Sequence, residues 1–185
     1  RIKIDFSLET NLLGTAGGIK KAAYLLEEPP FLIINSDILI DLNLLNLLKF
    51  HRQKHAVATI VLRPDPLVTQ FGIIKIDDQN RVRQFLEYSH EECSRKETKL
   101  RELMFTGVQI VETEFLESIP DGEYKDLSRD IYLQMMKNNL PIYGYVMEGY
   151  WTDIGTPLRY FQANMDCLSG RLNPLFSPSQ AELRQ

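Results

Sequence analysis

An α/β fold with a mostly parallel central sheet is the class this sequence predicts, and three observations carry the prediction. Apolar runs suited to strands alternate with helical stretches along most of the chain. The run Phe31-Leu32-Ile33-Ile34-Asn35-Ser36 closes on a single acid, Asp37, and a glycine cluster, Gly14-Thr15-Ala16-Gly17-Gly18, stands where a loop turns into a helix. In a parallel sheet, ligands collect at the carboxyl edge of the strands, so acids from distant segments can meet across one crevice. Asp37 and Asp153, the latter inside Gly149-Tyr150-Trp151-Thr152-Asp153-Ile154-Gly155-Thr156-Pro157, are the two acids placed to do so.

Taken in order, residues 2 to 6 read as a short strand. The glycine cluster then opens a helix that runs to about Glu27, where Pro29 and Pro30 stop it. Residues 31 to 36 read as a strand buried on both faces. A helix over about 43 to 54 follows, with Leu44, Leu45, Leu47, Leu48 and His51 spaced as one broad buried stripe. Residues 56 to 62 form the next strand. Beyond Pro64 and Pro66, two alternating runs, 71 to 76 and 82 to 87, flank the hairpin turn Asp77-Asp78-Gln79-Asn80. They make an antiparallel excursion. Residues 90 to 101 are densely charged and read as a solvated connector. A strand over 104 to 111, a short helix over 114 to 118, an amphipathic helix over 127 to 137 and a strand over 141 to 147 complete the alternation. Thr156-Pro157 caps and starts a last helix to about Leu168. The domain is expected to span residues 1–172, with 173–185 a loosely held polar tail.

The 185 residues, 44% of them hydrophobic, are enough to bury one core. A net charge of −4 with no basic block argues against nucleic-acid binding. No apolar run approaches the ~20 residues that span a bilayer, and no secretory leader pattern is present, so a cytoplasmic protein without membrane association is expected. Cys93 and Cys167 lack CxxC spacing and are expected to be unpaired thiols. A homo-oligomer is left open. The chain opens directly into its first apolar segment without an initiator Met, which reads as a fragment truncated at its N-terminus.

Each chemical motif has a plain structural reading beside the functional one. Alone, the glycine cluster is a cap that lets a helix pack closely; it is neither GxGxxG nor GxxxxGK[ST]. Asp41 is placed to cap the helix that begins after it. Asp37 is read as a metal ligand, because an ionised carboxylate at the end of an apolar strand needs a cationic partner and no nearby Lys or Arg supplies one. Asp153 stays open between a ligand and the anchor of a Trp-bearing turn. His51 and His55 are structural, and Tyr143, Tyr145 and Tyr150 are packing aromatics.

Together, Leu13-Gly14-Thr15-Ala16-Gly17-Gly18, Asn35-Ser36-Asp37, Phe71-Gly72-Ile73-Ile74, Phe105-Thr106-Gly107-Val108-Gln109 and the Gly149–Pro157 segment with Tyr160 resemble the sugar-1-phosphate nucleotidyltransferases over about residues 1 to 168. The branch containing mannose-1-phosphate guanylyltransferases is the most similar. The resemblance implies a three-layer, Rossmann-like fold and an enzyme that joins a nucleoside triphosphate to a sugar 1-phosphate, GTP and mannose 1-phosphate or a related hexose or heptose 1-phosphate first among them. It implies that Gly14, Thr15, Gly17 and Gly18 shape the nucleobase pocket and that Asp37 and Asp153 are the catalytic ligands of Mg²⁺. Gly72, Glu87, Thr106 and Gly107 would line the sugar site.

Two hard oxygen ligands agree with Mg²⁺, which binds through one or two carboxylates plus substrate phosphates. Two departures accompany the resemblance. The family's glycine-rich loop with its Arg and later Pro-Lys-Pro is not in these residues, so the chain alone is expected to be inactive. The Lys expected after Glu87 is Tyr88, which leaves the sugar phosphate without an assigned cation. A non-catalytic nucleotide-sugar-binding subunit and a glycosyltransferase of the same fold are the rival readings.

Overall fold

A computed structural model of the chain describes residues 3–66, 68, 72–89 and 99–172. Its elements are α1 (Gly14–Ala22), β1 (Phe31–Ile34), β2 (Ile38–Ile40), α2 (Leu44–Lys54), β3 (Ala58–Arg63), β4 (Ile73–Ile76), β5 (Val82–Phe85), β6 (Tyr88–Ser89) and β7 (Arg101–Val111). There follow α3 (Thr113–Glu117), α4 (Leu133–Lys137) with a π-helical turn Leu127–Tyr132 before it, β8 (Ile142–Val146), β9 (Trp151–Asp153) and α5 (Pro157–Leu168). The calls for residues 90–98 and 173–185 lie outside the described residues, as does Cys93. Cys167 is a free, exposed thiol. No helix among the described residues is long and apolar enough to cross a membrane.

The sheet is organised by β7. One of its edges takes β3 along most of its length, and β8 joins the far side of β3. The other edge takes two short strands end to end: β1 against Val108–Val111 and β4 against Arg101–Met104. Residues 105–107 of β7 therefore face a gap between the end of β1 and the start of β4. The expected parallel character is only partly seen. β1, β3, β4 and β8 share one direction, but only β3 and β8 are hydrogen-bonded neighbours in parallel, because β7 is inserted antiparallel among them. Short connections alternate strand direction, and β4, β5, β6 and β7 form such an alternating series; only long crossovers restore direction.

Both faces of the sheet are covered, which makes three layers. Along β3, Ala58, Ile60 and Leu62 join a core with Phe115, Ile131, Tyr132 and Met135, while Val61 joins Leu47, Val108, Ile110 and Met147 on the opposite face. This period of two is that of a strand buried on both sides. The strand expected to behave so was residues 31–36. There only Phe31 and Ile33 pack inward, and Leu32 and Ile34 are exposed, because β1 covers just the end of β7.

Other expectations shift for local reasons. Residues 3–9 are not a strand and have no partner strand among the described residues; Ile4 and Phe6 are 71% and 87% exposed. The buried stripe of α2 narrows to Leu47 and His51, with Leu45 79% exposed. The cap of α2 is Asn43, whose Oδ1 accepts from Asn46 N at 3.0 Å, rather than Asp41. His51 is buried and satisfied, Nδ1 at 2.8 Å from Thr59 Oγ1 and Nε2 at 3.0 Å from Glu112 Oε1, as the structural reading held. In the hairpin turn, Asp77 Oδ1 accepts from Gln79 N and Arg81 N and its Oδ2 pairs with Arg83 at 2.7 Å.

The glycine cluster opens α1 as expected, and its packing shows why those residues are small. Ala16 N donates to Lys125 O at 3.0 Å, and Lys125 N donates to Leu13 O at 2.9 Å. The helix start thus lies directly against the backbone of 123–125. A Cβ on Gly14 or Gly17 would fall 2.5 Å from Lys125 O or Glu123 O, and Gly14 has φ +70°. Gly14→Ala is therefore expected to destabilise the fold by roughly 2 kcal/mol or more with no nucleotide present. Equilibrium urea unfolding measures it, and an unchanged midpoint would show that the packing does not require the glycine.

At the other end of the chain, Tyr150 OH donates to Asp166 Oδ2 at 2.9 Å and ties α5 to the segment before β9. Burial first, and the bond to Asp166 second, push the Tyr150 phenol up to about 12 from the ordinary 10. The folded state thus favours the neutral phenol. That stabilisation is complete below the unfolded value of 10 and is lost as pH rises through about 12. Wild type should exceed Tyr150→Phe in stability near neutrality, and the difference should narrow across that alkaline window when unfolding is followed by urea titration.

Candidate active site

Two short β-branched and aromatic segments, Ile38-Leu39-Ile40 and Trp151-Thr152-Asp153, pair antiparallel as a ribbon set apart from the main sheet. The register is Ile38↔Asp153, Leu39↔Thr152 and Ile40↔Trp151. Ile154 N donates to Asp37 O and Asp41 N to Tyr150 O, both at 2.8 Å, which extends the pairing at each end. At Gly149 the backbone of Asp41 leaves no room for a side chain. Trp151 Nε1 donates to Thr106 O at 2.9 Å and fastens the ribbon to β7 beside the gap. Neither short strand was anticipated from sequence, since three residues are too few for periodicity to declare.

The ribbon places Asp37 and Asp153 at the same end. A Cβ on Gly155 would lie 3.4 Å from Asp37 Oδ2 and 3.5 Å from Asp153 Oδ1, so those oxygens are separated by no more than the two distances combined. Both acids line a cleft of about 260 Å³ with Asn35, Phe105, Thr106, Gly107, Trp151 and Arg159. The expected convergence is present, but its cause is the β2–β9 ladder rather than the carboxyl edge of a parallel sheet. Asp37 lies in the turn between β1 and β2 and is exposed.

Arg159 was missed from sequence. Thr156 Oγ1 accepts from Arg159 N at 3.3 Å, the cap that starts α5. From that first turn, Arg159 Nη1 reaches Asp153 Oδ1 at 2.7 Å and Oδ2 at 2.6 Å. The signal was the Asp153-x5-Arg159 spacing across a helix start, which puts a cation of the first turn over the residue three before the cap.

Thr106 and Gly107 line the cleft, although Thr106 is held within the sheet: its hydroxyl donates to Val61 O at 2.9 Å. Gly107 adopts φ +81° and lies under Asn35, whose backbone N donates to Gly107 O at 3.0 Å. Gly72 and Glu87 line a separate, larger cavity of about 720 Å³ with Gln84, Leu86, Arg129 and Leu133. Ile73, which lines the larger cavity, pairs with Met104, the residue before Phe105 of the cleft, so both hollows lie along β7. Arg129 is a cation lining this cavity that the sequence reading did not single out. It follows Asp126, whose carboxylate accepts from Ser128 N and Arg129 N and fixes the start of the π-helical turn. Gly14, Thr15, Gly17 and Gly18 are not among the residues lining either hollow; Thr15 Oγ1 accepts from Leu127 N at 2.9 Å.

For a divalent cation, the donor set fits. Asp37 and Asp153 are hard oxygen ligands converging beside a glycine, and no group of three or more His, Cys, Asp or Glu side chains is found among the described residues. Two carboxylates with remaining positions left to water and phosphate suit Mg²⁺ and would not saturate Ca²⁺ or a structural Zn²⁺.

The chain is 33% identical over 95% of its length to the UTP–glucose-1-phosphate uridylyltransferase of Synechocystis sp., and 29% identical over 91% to the mannose-1-phosphate guanylyltransferase of Mycobacterium tuberculosis. It is 31% identical over 84% to the glucose-1-phosphate adenylyltransferase of Clostridium acetobutylicum. It spans 45%, 45% and 42% of those relatives' own lengths. The crystal structure of HddC from Yersinia pseudotuberculosis complexed with GMP-PN superposes with a TM-score of 0.70 at 23% identity, covering 89% of this chain and 67% of that one, and so shares the fold. Residues 1–170 match the family described as Nucleotidyl transferase, and the chain belongs to that family.

Proposed function

We propose that the protein carrying this chain transfers a nucleoside monophosphate from a nucleoside triphosphate to a sugar 1-phosphate, releasing pyrophosphate. The observation that carries the reading is the convergence of Asp37 and Asp153 in one cleft, with a second, larger cavity lined by Glu87 and Arg129. In the reaction a phosphate oxygen of the sugar 1-phosphate attacks the α-phosphorus of the triphosphate, a P–O bond forms, and the bond to pyrophosphate breaks in line. No protein nucleophile is required.

Asp37 and Asp153 would hold Mg²⁺, which screens the phosphates from each other when bound. Glu87 accepts hydrogen bonds from sugar hydroxyls at one side of the larger cavity. Gly72, with φ +94° and Leu86 packed where a Cβ would point, lines the larger cavity. Arg129 neutralises the sugar phosphate in place of the Lys that Tyr88 replaces. Thr106 and Gly107, assigned to the sugar on resemblance, line the cleft that holds the two acids. Gly14, Thr15, Gly17 and Gly18 are assigned to the nucleobase on resemblance alone, and the packing of Gly14 and Gly17 on residues 123–125 is explained without a nucleotide.

GTP with mannose 1-phosphate is the pair we put first, and the M. tuberculosis relative named for that reaction supports it. Names of other relatives specify uridylyl and adenylyl transfer, so UTP and ATP with glucose 1-phosphate belong in the same assay. A cytoplasmic location and a single core over residues 1–172 complete the reading.

The test is pyrophosphate release by the full-length protein with Mg²⁺. Asp37→Ala and Asp153→Ala should each lower kcat by about 10²-fold or more, and Arg129→Ala should raise KM for the sugar phosphate by about tenfold. No release with any pair would favour a regulatory nucleotide-sugar-binding subunit, and sugar transfer to an acceptor would favour a glycosyltransferase.

A further inference from the structure

We propose that Arg159 is a tethered counter-ion that competes with the divalent cation for Asp153, so that cation binding is an exchange of one positive charge for another. The inference rests on the reading of Asp37 and Asp153 as metal ligands and adds a residue to it.

Nη1 of Arg159 sits astride the Asp153 carboxylate, 2.7 Å from one oxygen and 2.6 Å from the other. A carboxylate more often meets arginine through two nitrogens, one per oxygen; here a single nitrogen takes both, the position a bidentate cation would take. The Asp153 side chain is only 15% exposed, against 41% for Arg159. A carboxylate so far withdrawn from water requires a compensating charge, and Arg159 provides it.

The two acids are not equivalent. Asp37 is exposed, and no hydrogen bond or ion pair of its carboxylate occurs among the described residues. An arriving cation therefore meets Asp37 first and completes its coordination by displacing the guanidinium from Asp153. Arg159 cannot leave the neighbourhood. Its backbone is held in the first turn of α5 by the Thr156 cap, and it lines the same 260 Å³ cleft. The displaced guanidinium stays where an anionic ligand would enter, and the metal-free cleft is spared the repulsion of two uncompensated carboxylates.

Mn²⁺ is the probe, titrated into the full-length protein and followed by the electron paramagnetic resonance signal of the free ion. Arg159→Ala and Arg159→Gln are both expected to bind Mn²⁺ about tenfold more tightly than wild type. In an Asp153→Asn background, removing the arginine should make no further difference. Without metal, both arginine variants should melt below wild type, and added Mn²⁺ should raise their melting temperatures by more than it raises that of wild type. Equal or weaker Mn²⁺ binding by the two arginine variants, with binding still lost in Asp153→Asn, would overturn the competition and leave the metal reading standing. Undiminished binding in Asp37→Asn and Asp153→Asn would overturn both.

Discussion

Three residue pairs, Ile38↔Asp153, Leu39↔Thr152 and Ile40↔Trp151, hold the two acids of the cleft together. Without that ladder Asp37 would end a turn beyond β1 and Asp153 would precede a C-terminal helix, with no reason to meet. A two-stranded ribbon of this length has little stability by itself. It persists because its apolar side chains, Ile38, Ile40 and Trp151, pack on the core formed by Leu47, Val61, Val108, Ile110 and Met147. The Trp151 indole adds a directed bond to Thr106 O, so the register of the ribbon is referred to the register of β7. Shifting the ribbon by one residue would turn Asp153 to its other face and break both contacts.

β7 in turn makes the site by what it lacks. Its edge is covered by β1 and β4 placed end to end, and the three residues between them, Phe105, Thr106 and Gly107, belong to neither pairing. Unpaired backbone in mid-sheet is costly unless something else uses it. Here Gly107 O accepts from Asn35 N and Thr106 O from Trp151 Nε1, so the gap is satisfied by groups leading into the cleft. Gly107 can take φ +81° and lie close under Asn35 only because it has no Cβ. A hole in the sheet, a glycine and the two chain ends that flank it are one arrangement.

Much of this was legible in the sequence. Strands β3, β7 and β8 and helices α2 and α5 are long or well-capped enough to declare themselves, and Asp37 and Asp153 stand out as converging acids in the residues alone. Strand direction was less legible. An apolar run such as 104 to 111 reads the same whether it is inserted parallel or antiparallel, and only the alternation begun by the 77–80 turn hinted at the latter. Burial was misjudged at β1 because apolarity reports what a strand tolerates, and Leu32 and Ile34 are exposed on an edge. The glycine cluster was correctly placed at a helix start, yet its closest neighbours are the carbonyls of Glu123 and Lys125, a contact between segments more than a hundred residues apart that no local pattern encodes.

The charges were the least legible, for a reason that applies to both hollows. Arginine is long, so its guanidinium acts several ångströms from its own backbone and its sequence neighbours say little about where. Asp37 has no ion pair among the described residues, and no residue adjacent to it in sequence supplies a cation. The cation of that cleft comes instead from residue 159, and the cation of the larger cavity from residue 129, each projected from the first turn of a helical segment whose backbone is fixed by a side-chain cap, Thr156 in one case and Asp126 in the other. A capped first turn is a rigid base at which every N–H direction is set, so a long side chain leaving it has few degrees of freedom to lose on finding an anion. Helix caps that look purely structural in the sequence thereby decide where positive charge stands, and in this chain they set one arginine in the lining of each hollow.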